Sequence, residues 1–500
     1  MEYKCSVLTK EGLTMFNQLP TTNDFSIQFE KIKLAGYGPQ NQIITITEEK
    51  IMILNNNEEK TLNREYAIPH IDKWSMSPSG RFLIVWQLIP LQYKQSTTGG
   101  GPVKVEQEQT KTLHILDLQK ESNEPLISFF QKNISIWPAI QFNSTEQYFA
   151  FMGSKLFFYE IDANGNAVKC QKQFNNTVVK NFAWCPNKES PNVFAIYVPE
   201  EKKQNKPAQC KIYTYPETAR TMTQTSFYKS QFSTITWSPK CNVVLCKSQT
   251  SIDTSGMSYY GESSLHITST MDSGNNISLP QPTGPVYEAK FNSDGTLLAS
   301  LAGYMPAQLE IFRVTDAGKL ISLKKFPNQS RNELKFSPNN QFLAVAGFGN
   351  CPGEIDVYET QNWTVVAEFS AHCTTEWYWT HDSQHIIFCG CYPRRHFENF
   401  ITVCSIKTKE QTKPIDFGDR LYHLYLEPHE ASTELIQVSS LPKKKKDEVK
   451  TDVYVPPSLR QRSIADDDDD PMPSMKSTPA KKTTKKQTNK KNTKRTYYKK

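Results

Sequence analysis

The chain has 500 residues, a formal net charge of +7, 37% hydrophobic and 11% aromatic residues, and 11 cysteines. No apolar run approaches the length of a membrane span, no basic-then-apolar leader opens the chain, and the cysteines show no framework of paired spacings. A soluble, cytoplasmic, thiol-reduced protein is therefore expected, with no membrane partner.

The charge is unevenly placed. Residues 443–500 hold 18 Lys+Arg against 8 Asp+Glu, which leaves 40 against 43 for residues 1–442. The basic character belongs to the tail, and the sequence divides into residues 1–442 and residues 443–500.

Residues 1–60 contain enough strand-like runs for one repeat unit. From there an aromatic followed by Ser, Asn, Pro or Thr recurs: Trp74-Ser75-Met76-Ser77-Pro78, Phe142-Asn143-Ser144, Trp184-Cys185-Pro186, Trp237-Ser238-Pro239, Phe291-Asn292-Ser293, Phe336-Ser337-Pro338 and Trp379-Thr380-His381. The intervals are 68, 42, 53, 54, 45 and 43 residues, close to the roughly 40–50-residue period of a four-stranded propeller blade. The long first interval contains a Gln-, Thr-, Gly- and Glu-rich insertion between Tyr93 and Lys111.

Each anchor is followed by a turn and then a β-rich run such as Phe342-Leu343-Ala344-Val345-Ala346. The runs that close the units, such as Leu113–Asp117 and Ile355–Glu359, occupy the place of the Trp-Asp dipeptide of a WD40 repeat. Residues Tyr422 to Val438 read as one more unit. The pattern predicts an all-β, WD40-like β-propeller over residues 1–442 with nine blades, eight being the alternative.

Catalytic patterns are few. Gly347-Phe348-Gly349-Asn350-Cys351-Pro352-Gly353 lacks the Gly-Lys-Ser/Thr ending of a phosphate loop and reads as an inter-strand turn. His381, His385, Cys389, Cys391 and His396 form the densest metal-like cluster; His385, Cys389 and Cys391 share a face if the segment is extended, yet small buried cysteines account for them more simply. No Ser, His and Asp set stands out. No catalytic, cofactor or metal residue is expected, and the chain is expected not to be an enzyme.

The turn Tyr392-Pro393-Arg394-Arg395-His396 is basic, and paired arginines can grip phosphate. A solvated turn paired to Glu398 is the alternative. Arg394, Arg395 and His396 are candidate RNA or partner contacts.

The tail begins with Lys443-Lys444-Lys445-Lys446 and continues through Tyr454-Val455-Pro456-Pro457-Ser458-Leu459-Arg460 and an acidic run at Asp466 to Asp470. From residue 471 onward it carries 11 cations and no acid. So few apolar groups cannot offset the entropy of ordering, so a disordered tail is expected. Lys443, Lys444, Lys445, Lys446, Lys481, Lys482, Lys485, Lys486, Lys490, Lys491, Lys494 and Arg495 are candidate contacts to mRNA or rRNA phosphates. Residues 454–460 read as a stiff linker or a docking peptide, with Tyr454, Pro456, Pro457, Leu459 and Arg460 as its anchors. Ser463 lies where a phosphate would extend the acidic patch.

Two adjacent units carry a family resemblance. Gly284-Pro285-Val286-Tyr287, Phe291-Asn292-Ser293 and Gly303-Tyr304-Met305-Pro306-Ala307 resemble one blade of the eukaryotic translation initiation factor 2A family. The stretches Phe336-Ser337-Pro338-Asn339, Ala346 to Asn350 and Gly353 to Val357 resemble its next blade, and Glu376-Trp377-Tyr378-Trp379 and the Tyr-x-Pro-Pro-x-x-Arg tail segment continue the match. The resemblance implies a non-enzymatic initiation factor with a nine-bladed propeller. It would bind the small (40S) ribosomal subunit and RNA and assist delivery of initiator methionyl-tRNA, alongside other initiation factors; a monomer is expected.

Tyr304, Met305, Pro306, Phe348 and Asn350 follow strands in the matched blades and are expected on one rim, as partner contacts or as packing. Family members often continue into a longer helical tail, whereas this chain shows a Lys/Thr/Asn tract there. The alternatives are a propeller subunit of initiation factor 3, which would call for an N-terminal RNA-recognition module, and a general WD40-like protein adaptor.

Overall fold

The computed structural model describes residues 3–441 except 17–24, 39–41, 58–59, 90–92, 95–102, 105–109, 135, 170–177, 218–219, 254–255, 257–260 and 393. The expectations for the tail, from Lys443 to Lys500, lie outside the described residues. Two short 3-10 turns are the helical elements among those residues, and no helix there is long and apolar enough to cross a membrane.

Nine four-stranded antiparallel sheets hold nearly all of the strands among the described residues. Numbered in ring order, blade 2 spans Leu34–Tyr37 through Leu62–Tyr66, blade 3 Ile71–Met76 through Ile127–Phe129, and blade 4 Ile140–Phe142 through Ala167–Lys169. Blade 5 spans Asn181–Trp184 through Thr223–Phe227, blade 6 Phe232–Trp237 through Ile277–Ser278, and blade 7 Val286–Phe291 through Leu320–Gln329. Blade 8 spans Glu333–Phe336 through Val365–Ser370, and blade 9 Glu376–Trp379 through Ile415–Gly418. The insertion in blade 3 holds a small hairpin, Tyr93–Lys94 with Val103–Lys104.

Blade 1 joins the two ends of this region. Cys5–Thr9, Gly12–Phe16 and Phe25–Glu30 supply three strands, and Leu421–Leu426 pairs antiparallel with Cys5–Thr9 as the fourth. The nine-blade expectation holds, but its bookkeeping changes. The run Tyr422 to Val438 is not a separate blade, because its first half completes the blade begun at residue 5. Its second half forms no strand and lies against blades 8 and 9. There the Gln341 side chain donates to the Ile436 carbonyl at 2.7 Å and accepts its N–H at 2.8 Å.

The first strands of successive blades contact one another and line the central channel. Nine separate apolar clusters fill the nine blade-to-blade interfaces. One, with Cys5, Val7, Cys389, Ile401 and Leu424, joins blades 9 and 1; another, with Leu13, Ile43 and Leu54, joins blades 1 and 2. A cluster at every interface, including the one that closes the circle, gives a repeat array with no free edge to aggregate.

The anchors have a common physical role. The polar residue after the anchor accepts the backbone N–H five positions later: Ser77 from Phe82, Asn143 from Tyr148, Ser238 from Val243, Asn292 from Leu297, Ser337 from Phe342 and Thr380 from His385, all at 2.9–3.1 Å. This bond fixes the turn between the first and second strands. In blade 3 the anchor position belongs to Met76, two residues past Trp74. The anchor indoles also bond across interfaces: Trp184 Nε1 donates to the Gln141 carbonyl, Trp237 to Ala183 and Trp379 to Lys335, at 3.0–3.1 Å.

Blade 5 departs from the rule, because Cys185 stands where these six turns have an acceptor. It forms a disulfide with Cys241 in the corresponding turn of blade 6, the Cα atoms lying 6.0 Å apart. The expectation of uniformly reduced thiols is thus corrected at this pair. The bond replaces one turn's polar closure with a link between two turns.

Two histidines are built into the sheets as neutral groups. His266 stacks on Phe227 at 3.8 Å and bonds Ser248 and Ser278, and burial pushes its pKa down to about 4. His114 bonds Ser128 and Gln87 and is likewise pushed down to about 4 by burial. The unfolded chain protonates these rings near the ordinary value of about 6.5, so it binds more protons than the folded chain between about pH 6.5 and 4. Their stabilisation is complete above that window and is lost on acidification through it, up to roughly 3 kcal/mol for His266. Urea midpoints should therefore fall between pH 7 and pH 4.5, and His266→Gln should flatten that dependence; an equal slope in the variant would contradict the assignment.

Candidate functional site

Antiparallel order places the anchor turns, and the turns between third and fourth strands, on one face of the ring. The opposite rim carries the connections between second and third strands and those between blades. Tyr304 and Met305 in blade 7, Phe348 and Asn350 in blade 8, and Arg394, Arg395 and His396 in blade 9 all fall in second-to-third connections. These candidates therefore occupy equivalent places on three successive blades.

Their surroundings differ. Gly284 and Gly303, both in the matched motif, meet back to back: a Cβ on Gly284 would stand 2.4 Å from the Tyr304 nitrogen, and their φ angles are +132° and +105°. Gly284 is required because the Gly303–Tyr304 backbone approaches so closely, and Gly303 because of its positive φ, with the Pro282 side chain 3.1 Å from where a Cβ would stand. Gly303 N–H donates to the Pro285 carbonyl at 3.0 Å, which fixes the loop. Tyr304 is half-buried and its hydroxyl donates to Asp253 of blade 6 at 3.3 Å, whereas Met305 and Pro306 stand exposed.

Phe348 is 4% exposed and packs edge-on against Trp377 and Phe388, with ring centroids 6.0 Å away in each case. Its backbone is held twice by the Asn332 amide, which donates to the Phe348 carbonyl and accepts its N–H, both at 2.9 Å. The Phe348 side chain is thus a packing residue of the interface between blades 8 and 9. Asn350 lies at the exposed tip of the same turn.

The basic turn is not a paired-arginine clamp. Arg395 is committed to Glu398 at 2.6 Å and to the Phe397 carbonyl at 2.8 Å, and it lies over the Phe400 ring. Arg394 is exposed, with one long contact of 3.4 Å to the Thr375 carbonyl, and exposed His396 meets Tyr392 edge-on. The two arginines diverge in role.

The metal-like cluster does not converge. His385 bonds the Tyr3 hydroxyl at 2.6 Å at one end of its strand, and His381 packs near His429 on the anchor-turn face. Cys389 and Cys391 are buried in the interface between blades 9 and 1, and His396 lies on the opposite rim. Burial pushes the thiol pKa of Cys5 up to about 12 and raises that of Cys389, which keeps both protonated and weakly nucleophilic. Among the described residues, no group of three or more His, Cys, Asp or Glu could hold a metal ion.

The inner strands of blades 7 to 9 form a charged sector of the channel. Glu288 pairs with Lys290, Lys335 lies over Trp377 at 4.6 Å, the Trp377 indole donates to Glu333 at 2.7 Å, and His423 meets Glu376 at 2.7 Å. Desolvation lowers the Lys335 pKa.

Blades 3 to 6 differ. Their inner strands enclose a hollow of about 870 Å³ lined by Ile136, Trp137, Gln141, Lys180, Phe232 and Ile235 among others. The sequence gives no sign of it, because Phe232 and Trp137, each five residues before an anchor, belong to no motif themselves. Of the fifteen large apolar side chains exposed among the described residues, eight lie on the rim of the candidate loops, including Phe130, Tyr228, Phe232, Ile252 and Met305.

Comparison with known proteins agrees with this architecture. The family model described as "Eukaryotic translation initiation factor eIF2A" matches residues 225–424, from the end of blade 5 into the closing strand. The chain is similar to "Eukaryotic translation initiation factor 2A" of Dictyostelium discoideum, 25% identical over 438 residues, covering 86% of this chain and 67% of the relative. It is also 25% identical over 418 residues to the protein of that name from Schizosaccharomyces pombe, covering 82% and 66%. A solved structure titled "Crystal structure of the eukaryotic initiation factor" superimposes with a TM-score of 0.68 at 21% identity, covering 86% of this chain and 99% of that one. The chain spans about two thirds of the length of these relatives.

Phe348→Ala should cost about 3–5 kcal/mol by emptying a buried aromatic site, whereas Met305→Ala should change stability by under about 0.5 kcal/mol. Chemical denaturation of the two variants checks this, and equal costs would contradict the placement.

Proposed function

The chain belongs to the eukaryotic translation initiation factor 2A family, and from that premise we propose that it binds the small ribosomal subunit and RNA and assists delivery of initiator methionyl-tRNA. In this reading the protein does no covalent chemistry. Residues 1–442 are the recognition ring and residues 443–500 a basic arm; the site of action is the cytoplasm.

The observation that carries the proposal is the position of the family match. It spans blades 6 to 9, whose second-to-third connections hold exposed Met305, Asn350, Arg394 and His396 on one rim. Loops on a rigid scaffold are the usual place for binding residues, because their sequence can vary without disturbing the core. The buried residues beneath them, Phe348 and Arg331 among them, hold the loops in place. Arg331 pairs with Glu354 at 2.9 Å and Asp356 at 3.0 Å.

The tail contributes by charge. If about six of its cations engage a single strand, affinity should fall with salt at a log-log slope near −4. Such binding is strong and barely selective, so selectivity falls to the ring, and contacts with other initiation factors would use the same rim.

Sucrose-gradient sedimentation tests the proposal. At low salt the chain should travel with 40S subunits and retain initiator tRNA, and the joint variant Met305→Ala, Asn350→Ala, Arg394→Ala should reduce that association at least about fivefold while leaving the melting curve unchanged. Sedimentation wholly free of 40S subunits would refute it.

A further inference from the structure

We propose that the hollow between the inner strands of blades 3 to 6 binds a short stretch of single-stranded RNA, with bases stacked on Phe232 and Trp137 and phosphates drawn to Lys180 and its neighbouring lysines. This deepens the reading of the chain as an RNA-binding initiation factor, and rests on it for the choice of RNA over DNA.

The chemistry of the walls is the first argument. The hollow, about 870 Å³, lies within the size range of sites that enclose small organic ligands. Among the described residues its lining includes no Asp or Glu, and Lys180 is its single charged side chain. Phe232 is 63% exposed although it opens an inner strand, and Trp137 is half-buried at the same mouth. An exposed aromatic face beside a cation is what every base can use, because every base has a π-face.

The polar groups are edge-readers of modest number. The Gln231 side-chain oxygen accepts the Ser251 N–H, which leaves its amide NH2 for a ligand. The Gln141 NH2 donates to the Phe182 carbonyl, which leaves its oxygen. Two amides and the Thr234 hydroxyl can contact base edges without specifying a long sequence, so a weak base preference is expected.

Charge on the surrounding rim is the second argument. Lys132, Lys202 and Lys203 stand exposed on loops of the same face, and none has an ion-pair partner among the described residues. The acids of those loops are engaged: Glu200 accepts the Ser230 N–H, Glu201 pairs with Lys206, and Glu262 pairs with Lys229. Exposed Phe130 and Tyr228 stand on those loops. Lysines interleaved with aromatics fit a single strand better than an acidic peptide, because the rings offer stacking faces where a peptide would need apolar sockets.

The site lies largely outside the blades that the family match covers, since blades 3 to 5 precede residue 225 almost entirely. It is therefore separable from the candidate loops of blades 7 to 9.

Photo-cross-linking of the full chain to a 12-nucleotide RNA carrying 5-iodouridine, in 0.3 M KCl to suppress tail binding, tests the proposal directly. The expected products place the cross-link on peptides containing Phe232, Trp137 or Tyr228. By fluorescence anisotropy, Phe232→Ala should weaken binding at least about fivefold, Lys180→Glu should weaken it and make the salt slope shallower, and Phe397→Ala, on the same rim over blade 9, should match the parent. Cross-links confined to residues 443–500, or parental affinity in both Phe232→Ala and Lys180→Glu, would overturn the proposal. So would normal RNA binding by Phe232→Ala together with loss of a protein component from its ribosomal complexes, which would make the hollow a protein site. Loss of 40S sedimentation with these cross-links intact would instead refute the initiation reading and leave the RNA site standing.

Discussion

The pairing of Leu421–Leu426 with Cys5–Thr9 turns nine sheets into a ring. An open array of repeats would leave two exposed edges and two half-filled interfaces, and its end blades would fray. Closure buries Cys5, Val7, Leu421 and Leu424 against blade 9 and completes the circle of apolar clusters. Everything else about the molecule, including the fixed spacing of its loops, depends on that one non-local contact.

The two faces of the ring then divide the work. On the anchor face the turns repeat one bond, a side-chain acceptor on the N–H five residues later, and neighbouring turns interlock: the Ser79 hydroxyl donates to Glu146, Ser293 to Asn340, and the Asn339 N–H to Ser383. Regularity there serves construction. The opposite rim has loops of unequal length and eight of the fifteen large apolar groups exposed among the described residues, and the inner strands beneath it are charged in blades 7 to 9 and carry no charged residue in blades 4 to 6. Variation on a scaffold held by its other face is what permits selective binding, and the fold alone would not identify a partner.

Most of the ring was legible because the anchor bond is local. A Ser, Asn or Thr at the end of the first strand closes a turn within six residues, so the signal survives in sequence in blades 3, 4 and 6 to 9. Trp74 misled by two positions because it precedes Met76 on the same strand, and the turn bond belongs to Ser77. Blade 1 was only half visible, since strands some 400 residues apart in sequence carry no mark of their partnership. The segment Glu434 to Val438 looked like a strand because it alternates, but it alternates against the Gln341 amide and the cluster around Ile436. Phe348 reads as a rim residue, for contact or packing, because it follows a strand in a matched blade; the Asn332 clamp that holds its backbone lies sixteen residues away. The pairing of Cys185 with Cys241 spans one blade repeat and had no local cue, although a cysteine in place of the usual acceptor was the trace it left. Of the candidate contacts, the loop positions could be named in advance, whereas the hollow around Phe232 required four blades to be placed together.

The central claim is that the ring reads its partners with the rim opposite the anchor turns. A cryo-electron microscopy map of the chain bound to the small ribosomal subunit measures this most directly. The account predicts a nine-bladed ring seated with Met305, Asn350, Arg394 and the mouth at Phe232 toward the ribosome or its RNA, and with the anchor face, where Gln341 holds Ile436, turned to solvent. A ring seated by its anchor face, with the opposite rim free, would contradict it.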